Sequence, residues 1–283
     1  MFKRDIHEEI IKQLQKSDIY QKKILKDIKT GVILPCIRDE RIDFYYGGGN
    51  LFTFDKKGFA THIKYASVYK YKGKDPYVSE SEIQKMEKIT SFLDGYERIK
   101  ENCSLYAGDE AISISDIYRR YSYILPRNIV VLDIEISLKS LKNGGSKQDR
   151  IDILFFDRKK ERLIFCEGKH YSNGELWSEK GTEPKVVKQI RRYEEQINDK
   201  QNSILHGYCN YISIVNNLFS LDFPCPGSIS KNVLLIVTGF DKDQSSGRLT
   251  NLFKGNMPND LKYYLIGNPV NLKPENMLEQ CGL

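Results

Sequence analysis

The sequence predicts an α/β protein: a domain with a mixed central sheet over residues 80–283, behind a smaller basic region of helices and β-hairpins at residues 1–79. Three observations predict it. The hydrophobic period changes from helical to alternating at Asn128, which is the change from a helix pattern to a strand pattern. From residue 80 onward the elements then run helices, three strands, helix, strand. Glycine-bearing turns separate short apolar runs before residue 66, as hairpins require.

Ile6, Ile10, Ile11, Leu14, Ile24, Leu25 and Ile28 recur at helical spacing, predicting one or two amphipathic helices. Strand-like runs follow at Arg41–Tyr46, Leu51–Phe54 and Phe59–Tyr65. Gly47-Gly48-Gly49-Asn50 and Asp55-Lys56-Lys57-Gly58 separate them as turns, because glycine tolerates positive φ. The three glycines do not read as a phosphate loop, since neither a following helix nor a G-K-[ST] ending accompanies them. Lys70 to Tyr77 is polar and holds Gly and Pro, which marks it as the linker between the two regions.

Ser79 and Glu82 have capping-box spacing. A helix is expected from there to about Asn102, with Ile83, Met86, Ile89, Phe92, Leu93, Tyr96 and Ile99 on one side. A second helix is expected at Asp116–Tyr123, ended by Pro126. The strand from Asn128 places Asp133 and Glu135 on one face and Ile134 and Ile136 on the other. Lys142 to Lys147 form a turn, Arg150–Phe156 a second strand and Arg162–Lys169 a third. A helix at Lys185–Asn198, a polar loop-rich stretch, and strands at Val233–Thr238 and Lys262–Ile266 complete the domain.

The chain holds 44 Lys plus Arg against 38 Asp plus Glu, and the excess is local. Residues 1–79 carry 16 basic and 10 acidic side chains, while the rest is balanced at 28 of each. Such an asymmetry suits an acidic partner, and equally an ordinary solvated surface. Six scattered cysteines without a C-x-x-C pair predict reduced thiols, neither a disulfide framework nor a zinc site. With no apolar leader and no apolar run long enough to span a bilayer, a soluble cytoplasmic protein without membrane contact is expected.

The chemistry concentrates between Asp149 and Tyr193. Asp152, Leu154 and Phe156 share one strand face; Phe165, Glu167 and Lys169 share a face of the next. If these strands pair as a hairpin, the two carboxylates converge with the lysine just beyond. Two carboxylates and a backbone carbonyl, here that of Gly168, suit Mg²⁺ or Mn²⁺ with several retained waters. Both acids sit in apolar strands, I-D-I-L-F-F and L-I-F-C-E, where a charge without a partner is costly. Acidic and basic residues at strand ends are also common for no chemical reason, so the pattern gains weight from its surroundings.

Those surroundings are specific. With the strand-borne Asp152, the E-G-K at Glu167–Lys169 and the αβββαβ order, the chain resembles the PD-(D/E)XK nuclease superfamily. The helix adds Q-I-R-R-Y from Gln189 to Tyr193, similar to the Q-x-x-x-Y helix of the RecB-like branch. The resemblance covers about Asp116 to Thr238 and implies a restriction-endonuclease-like core. It departs from the family in two places: Ile151 stands where many members carry proline, and no histidine lies between Glu80 and Asp149. A third acidic ligand must then come from elsewhere, with Glu135 first, Asp133 beside it, and Glu110 as the other candidate.

The resemblance implies a Mg²⁺-dependent phosphodiesterase acting on nucleic acid, with DNA as the expected substrate, in repair, restriction or defence. Asp152, Glu167, Gly168 and Glu135 would hold the metal, Lys169 would assist the attacking water, and Gln189 and Tyr193 would position the strand. Core packing of Tyr193 is the plain alternative, since Val186, Ile190, Tyr193 and Ile197 form one apolar stripe. Lys185, Lys188 and Arg192 form a basic face suited to phosphates or simply to solvent. A homodimer is compatible with the sequence. The rival reading is an inactive nuclease-fold module that binds nucleic acid or a protein.

Overall fold

The computed structural model describes residues 2–67, 76–85, 89–138 and 149–283. Most of the expected linker, Met86 of the expected helix stripe and the turn Lys142–Lys147 lie outside the described residues. The architecture is mixed α/β with two sheets. The chain divides into two units: an N-terminal one of Lys3–Pro126 with Asn210–Asp222, and a C-terminal one of Met1–Phe2, Arg127–Cys209 and Phe223–Leu283. The division therefore falls at Pro126, whereas the sequence reading placed it at residue 79. The reason is packing: the N-terminal sheet takes its last strand at Tyr77–Ser79, and the segment after it packs on that sheet through Phe92 and Tyr96.

In the N-terminal unit, α1 (Glu8–Lys16) and α2 (Leu25–Lys29) flank a π-helical turn at Tyr20–Ile24. The strands β1 (Leu34–Arg38), β2 (Arg41–Tyr46), β3 (Gly49–Asp55), β4 (Gly58–His62) and β5 (Tyr77–Ser79) form one antiparallel sheet in sequence order. The turn between β2 and β3 puts Gly47 at φ +56° and Gly48 at +86°, the region a hairpin turn demands of both central residues. β1 was missed in the sequence because all five of its residues are buried, leaving no alternation to see.

The single helix expected from Ser79 to Asn102 is two among the described residues, α3 (Glu80–Ile83) and α4 (Tyr96–Leu105). The capping pair does form: Glu82 accepts from the Ser79 amide at 2.8 Å and from its hydroxyl at 2.6 Å. Phe92 and Tyr96, expected on the apolar side of one helix, both pack on Phe52, with ring centroids 5.2 and 6.3 Å away. Each such buried ring contributes about 1.5–3 kcal/mol of transfer free energy, enough to outweigh the local preference for a continued helix. The helix α5 (Asp109–Tyr121) begins earlier than expected.

The C-terminal unit is built on β6 (Ile129–Leu138), β7 (Asp149–Asp157) and β8 (Arg162–His170), paired antiparallel. α6 (Lys185–Asp199) and α7 (Gln201–Phe219) follow. The short β9 (Ser228–Ile229), then β10 (Leu234–Thr238) and β11 (Tyr263–Leu265), complete the sheet in the order β11-β10-β8-β7-β6, with β9 beside the start of β8. β10 runs parallel to β8, and a parallel pair needs a long crossover, supplied by the helical segment between them. All five residues of β10 are buried, as a central strand requires.

The stretch expected to be loop-rich is the 19-residue α7. Its asparagines and Gly207 hid a stripe of buried Ile204, Tyr208, Tyr211, Ile212 and Val215 at helical spacing. Gly207 is there for space: a Cβ would stand 2.7 Å from the ring of Phe2. The cysteine expectation is corrected as well. Cys209 on α7 and Cys225 before β9 form a disulfide, their Cα atoms 4.9 Å apart, while Cys36, Cys103, Cys166 and Cys281 are buried and form none. No helix among the described residues is long and apolar enough to cross a membrane.

Candidate active site

The site begins where a ladder ends. β7 and β8 pair from Asp157↔Arg162 to Ile153↔Cys166. The next facing pair would be Asp152 and Glu167, and there the carboxylate takes over from the backbone: Asp152 Oδ2 accepts the Gly168 amide at 2.8 Å. Because the N–H and C=O of one strand residue point to the same edge, the Gly168 carbonyl faces this opening too. On its other edge β8 is held by β10 through Leu235↔Glu167, Ile236↔Gly168 and Val237↔Lys169. Glu167, Gly168 and Lys169 thus ride on a central strand fixed from one side and opened on the other.

Alternation puts Glu167 and Lys169 on one face, and the face is closed: they are 1% and 4% exposed. Lys169 Nζ lies 2.8 Å from Glu167 Oε1. A second carboxylate reaches the same ammonium, Glu175 Oε2 at 3.2 Å. Glu175 sits on the 3₁₀ turn Gly174–Leu176, and Asn173 starts that turn by accepting the Glu175 amide at 2.9 Å. Sequence reasoning missed Glu175, since a glutamate in a polar loop carries no periodic signal. Burying each ion of such a pair costs several kcal/mol, offset only with good geometry and further hydrogen bonds.

α6 contributes the glutamine and the tyrosine. Gln189 Nε2 donates to Tyr193 Oη at 2.6 Å, and that hydroxyl donates to the Arg150 carbonyl at 2.7 Å. Tyr193 is 1% exposed, so the packing alternative holds for its ring while its hydroxyl anchors β7 two residues before Asp152. Burial first, then the charge of Glu167, pushes the Tyr193 phenol above its ordinary pKa, and Asp152 adds to this while Lys169 opposes it. The hydroxyl therefore feels all three charged residues of the site and stays a donor.

Arg192 does not project as a phosphate contact. It grips Asp149 through Nε at 3.0 and 2.9 Å and Nη2 at 2.7 Å, and Gln196 adds a bond to the same carboxylate at 2.6 Å. This pins the start of β7 to α6 and leaves Lys185 and Lys188 as the basic residues of that face that make no ion pair among the described residues.

The third carboxylate is where geometry and expectation part. β6 is bulged between Val131 and Asp133, and past the bulge Glu135 takes a left-handed backbone at φ +52°. Asp133 is fully buried, with Oδ1 on the Ile134 amide and Oδ2 accepting the Tyr208 hydroxyl, both at 2.9 Å. Glu135 turns to Arg150, 2.8 Å away. Glu110 stands in the first turn of α5, in the N-terminal unit.

The chain was compared with protein-family models, curated proteins and solved structures. It matches none of them. The site is therefore judged on its donors. Among the described residues no three His, Cys, Asp or Glu side chains gather as a ready ion cage. Asp152, Glu167 and the Gly168 carbonyl nonetheless offer hard oxygens from adjoining strands, a donor set that fits Mg²⁺ with waters filling the remaining positions.

Proposed function

We propose that this protein is a divalent-metal-dependent nuclease of the PD-(D/E)XK kind, hydrolysing phosphodiester bonds with DNA as its substrate. The observation that carries the reading is the cluster where β7 and β8 part: Asp152 on the Gly168 amide, and Glu167 and Lys169 buried together on the next strand. Asp152, Glu167 and the Gly168 carbonyl would hold Mg²⁺ or Mn²⁺, which lowers the pKa of a bound water and polarises the phosphate. Lys169 stays charged beside its carboxylates and faces the negative charge that builds on the phosphate in the transition state. Gln189 and Tyr193 act through the backbone: by fixing the Arg150 carbonyl they set the position of Asp152.

The test is cleavage of linear, circular and single-stranded DNA by the full chain with Mg²⁺ or Mn²⁺. Asp152→Ala and Lys169→Ala each lower the cleavage rate by about 10²-fold or more if the proposal holds, and full activity in both variants overturns it.

One observation favours a second reading, a nuclease-fold module without catalysis: Glu135 and Asp133 are engaged by Arg150 and Tyr208. Thermal unfolding with and without Mn²⁺ separates the two, because a ligand that binds only the folded state raises its stability by mass action. A metal-binding site gives a rise that Asp152→Ala removes, whereas an inert module gives none.

A further inference from the structure

Immediately after Lys169 the chain makes a second feature that the cleavage chemistry does not use. Tyr171 donates its amide to the Thr238 carbonyl at 2.8 Å, and its own carbonyl accepts the Trp177 indole N–H at 2.9 Å. The two rings meet edge-on, with centroids 5.0 Å apart and planes at 75°. Over the indole lies Arg248, its guanidinium carbon 3.9 Å from the ring centroid. Arg248 comes from a π-helical turn, Ser245–Leu249, a local geometry found disproportionately at functional sites. It is exposed, and among the described residues it makes no ion pair. Asn256 ties the same segment back to the loop, bonding the Ser178 hydroxyl at 2.8 Å and the Glu179 and Thr182 carbonyls at 2.7 and 3.1 Å.

A half-exposed indole, a tyrosine ring and an exposed cation are thus brought together. Glu175, two residues before Trp177, reaches back to Lys169 at 3.2 Å, so the platform and the charged cluster share one loop. Trp177 is the single tryptophan of the chain. A guanidinium lying on an aromatic face presents its own plane for an unpaired base to stack on, and the π face of a base is open only when the strand is unstacked. A duplex offers the phosphate but not the base.

We infer that Tyr171, Trp177 and Arg248 form a stacking subsite for an unpaired nucleotide next to the scissile phosphate, so that the substrate enters the site as a single strand. This inference rests on the nuclease reading for its orientation to the bond cut, and it stands or falls on binding.

The sole tryptophan makes the test direct. The full chain, in chelator so that nothing is cut, is titrated with oligo(dU), oligo(rU) and a DNA duplex of equal length while indole fluorescence is followed. Single strands quench the signal and duplex does so far less; the stronger of the two single strands identifies the sugar preferred. Arg248→Ala weakens single-strand binding by about tenfold, the loss of one stacked base contact, while the exposed position leaves the far-ultraviolet circular dichroism unchanged. Trp177→Phe, followed by fluorescence anisotropy of a labelled strand, weakens it less. Equal quenching by duplex, no quenching at all, or unchanged affinity in Arg248→Ala overturns the inference. Cleavage of duplex and single strand at equal rates with no quenching removes the subsite and leaves the nuclease standing. Arg248-dependent quenching without cleavage under any metal removes the nuclease and leaves the subsite.

Discussion

Each unit of this protein buries a carboxylate against cations on a strand of its sheet, and the two clusters are inverted. In the N-terminal unit an acid is held by two bases: Asp43, its side chain 3% exposed, takes Arg38 at 3.1 Å and Arg41 at 2.7 Å. In the C-terminal unit a base is held by two acids: Lys169, 5% exposed, takes Glu167 at 2.8 Å and Glu175 at 3.2 Å. In both, one partner is buried and the other is 47% exposed. The choice of cation differs in consequence. Guanidinium is a planar fork that locks its partner, whereas an ammonium is a point charge on a flexible stem that can exchange partners. The first cluster is suited to holding strands together, the second to rearranging as charge moves.

The largest expected effect follows from that second cluster. Lys169→Ala lowers the cleavage rate by about 10²–10³-fold, the usual loss when one electrostatic stabiliser of a transition state is removed. Single-turnover kinetics at saturating Mg²⁺ reads it directly. Asp43→Ala, by contrast, leaves the rate per folded molecule unchanged and costs about 3 kcal/mol of stability, because two guanidiniums lose the carboxylate they share. Urea unfolding measures this, and a cost below about 1 kcal/mol, the range of an exposed pair, would break the contrast drawn between the clusters.

The half-exposed partner separates the roles further. Glu175 leaves Lys169 with a carboxylate when Glu167 turns its oxygens toward an ion. Glu175→Gln therefore raises the Mg²⁺ concentration needed for half-maximal cleavage by about fivefold, corresponding to the ~1 kcal/mol upper end for a solvent-accessible pair. An unchanged metal requirement would make Glu175 a loop residue that merely lies nearby.

The sequence was most informative where one periodicity governs a whole element. The β7 and β8 hairpin, α6 with its Gln189 and Tyr193, and β10 all lie where their apolar patterns put them. Information was lost where tertiary contacts decide. β1 is buried on both faces and shows no alternation. α7 hides its stripe among asparagines and a glycine that makes room for Phe2. Asp133 and Glu135 take different partners, and the left-handed backbone at Glu135, φ +52° inside β6, is announced by no composition rule. At the candidate site, the placing of Asp152, Glu167 and Lys169 was legible from strand alternation. Glu175 and Trp177 were not, because a loop places side chains by its tertiary anchors and has no period.

The two units differ also in how their buried tyrosines are used, and pH exposes the smallest effect. Tyr193 donates to a carbonyl, and burial first, then the charge of Glu167, keeps its proton on. Tyr20, on the π-helical turn of the N-terminal unit, is pushed up to about 12 by burial alone. A phenol whose folded pKa lies above its unfolded value contributes nothing against unfolding by pH until the unfolded chain begins to ionise. Its protonated form is equally available to both states below about pH 10. Above that the unfolded state releases the proton and the folded state does not, so stability falls as pH rises until the folded pKa is passed. At pH 10.5 this amounts to about 0.8 kcal/mol for one such group. Tyr20→Phe removes that portion of the decline: the gap between variant and parent urea midpoints, constant from pH 7 to 9, shifts in the variant's favour by pH 10.5. A gap that stays constant across the whole range would mean that Tyr20 meets solvent or a base in the folded protein, and the packing assigned to the N-terminal unit would have to be revised at that turn.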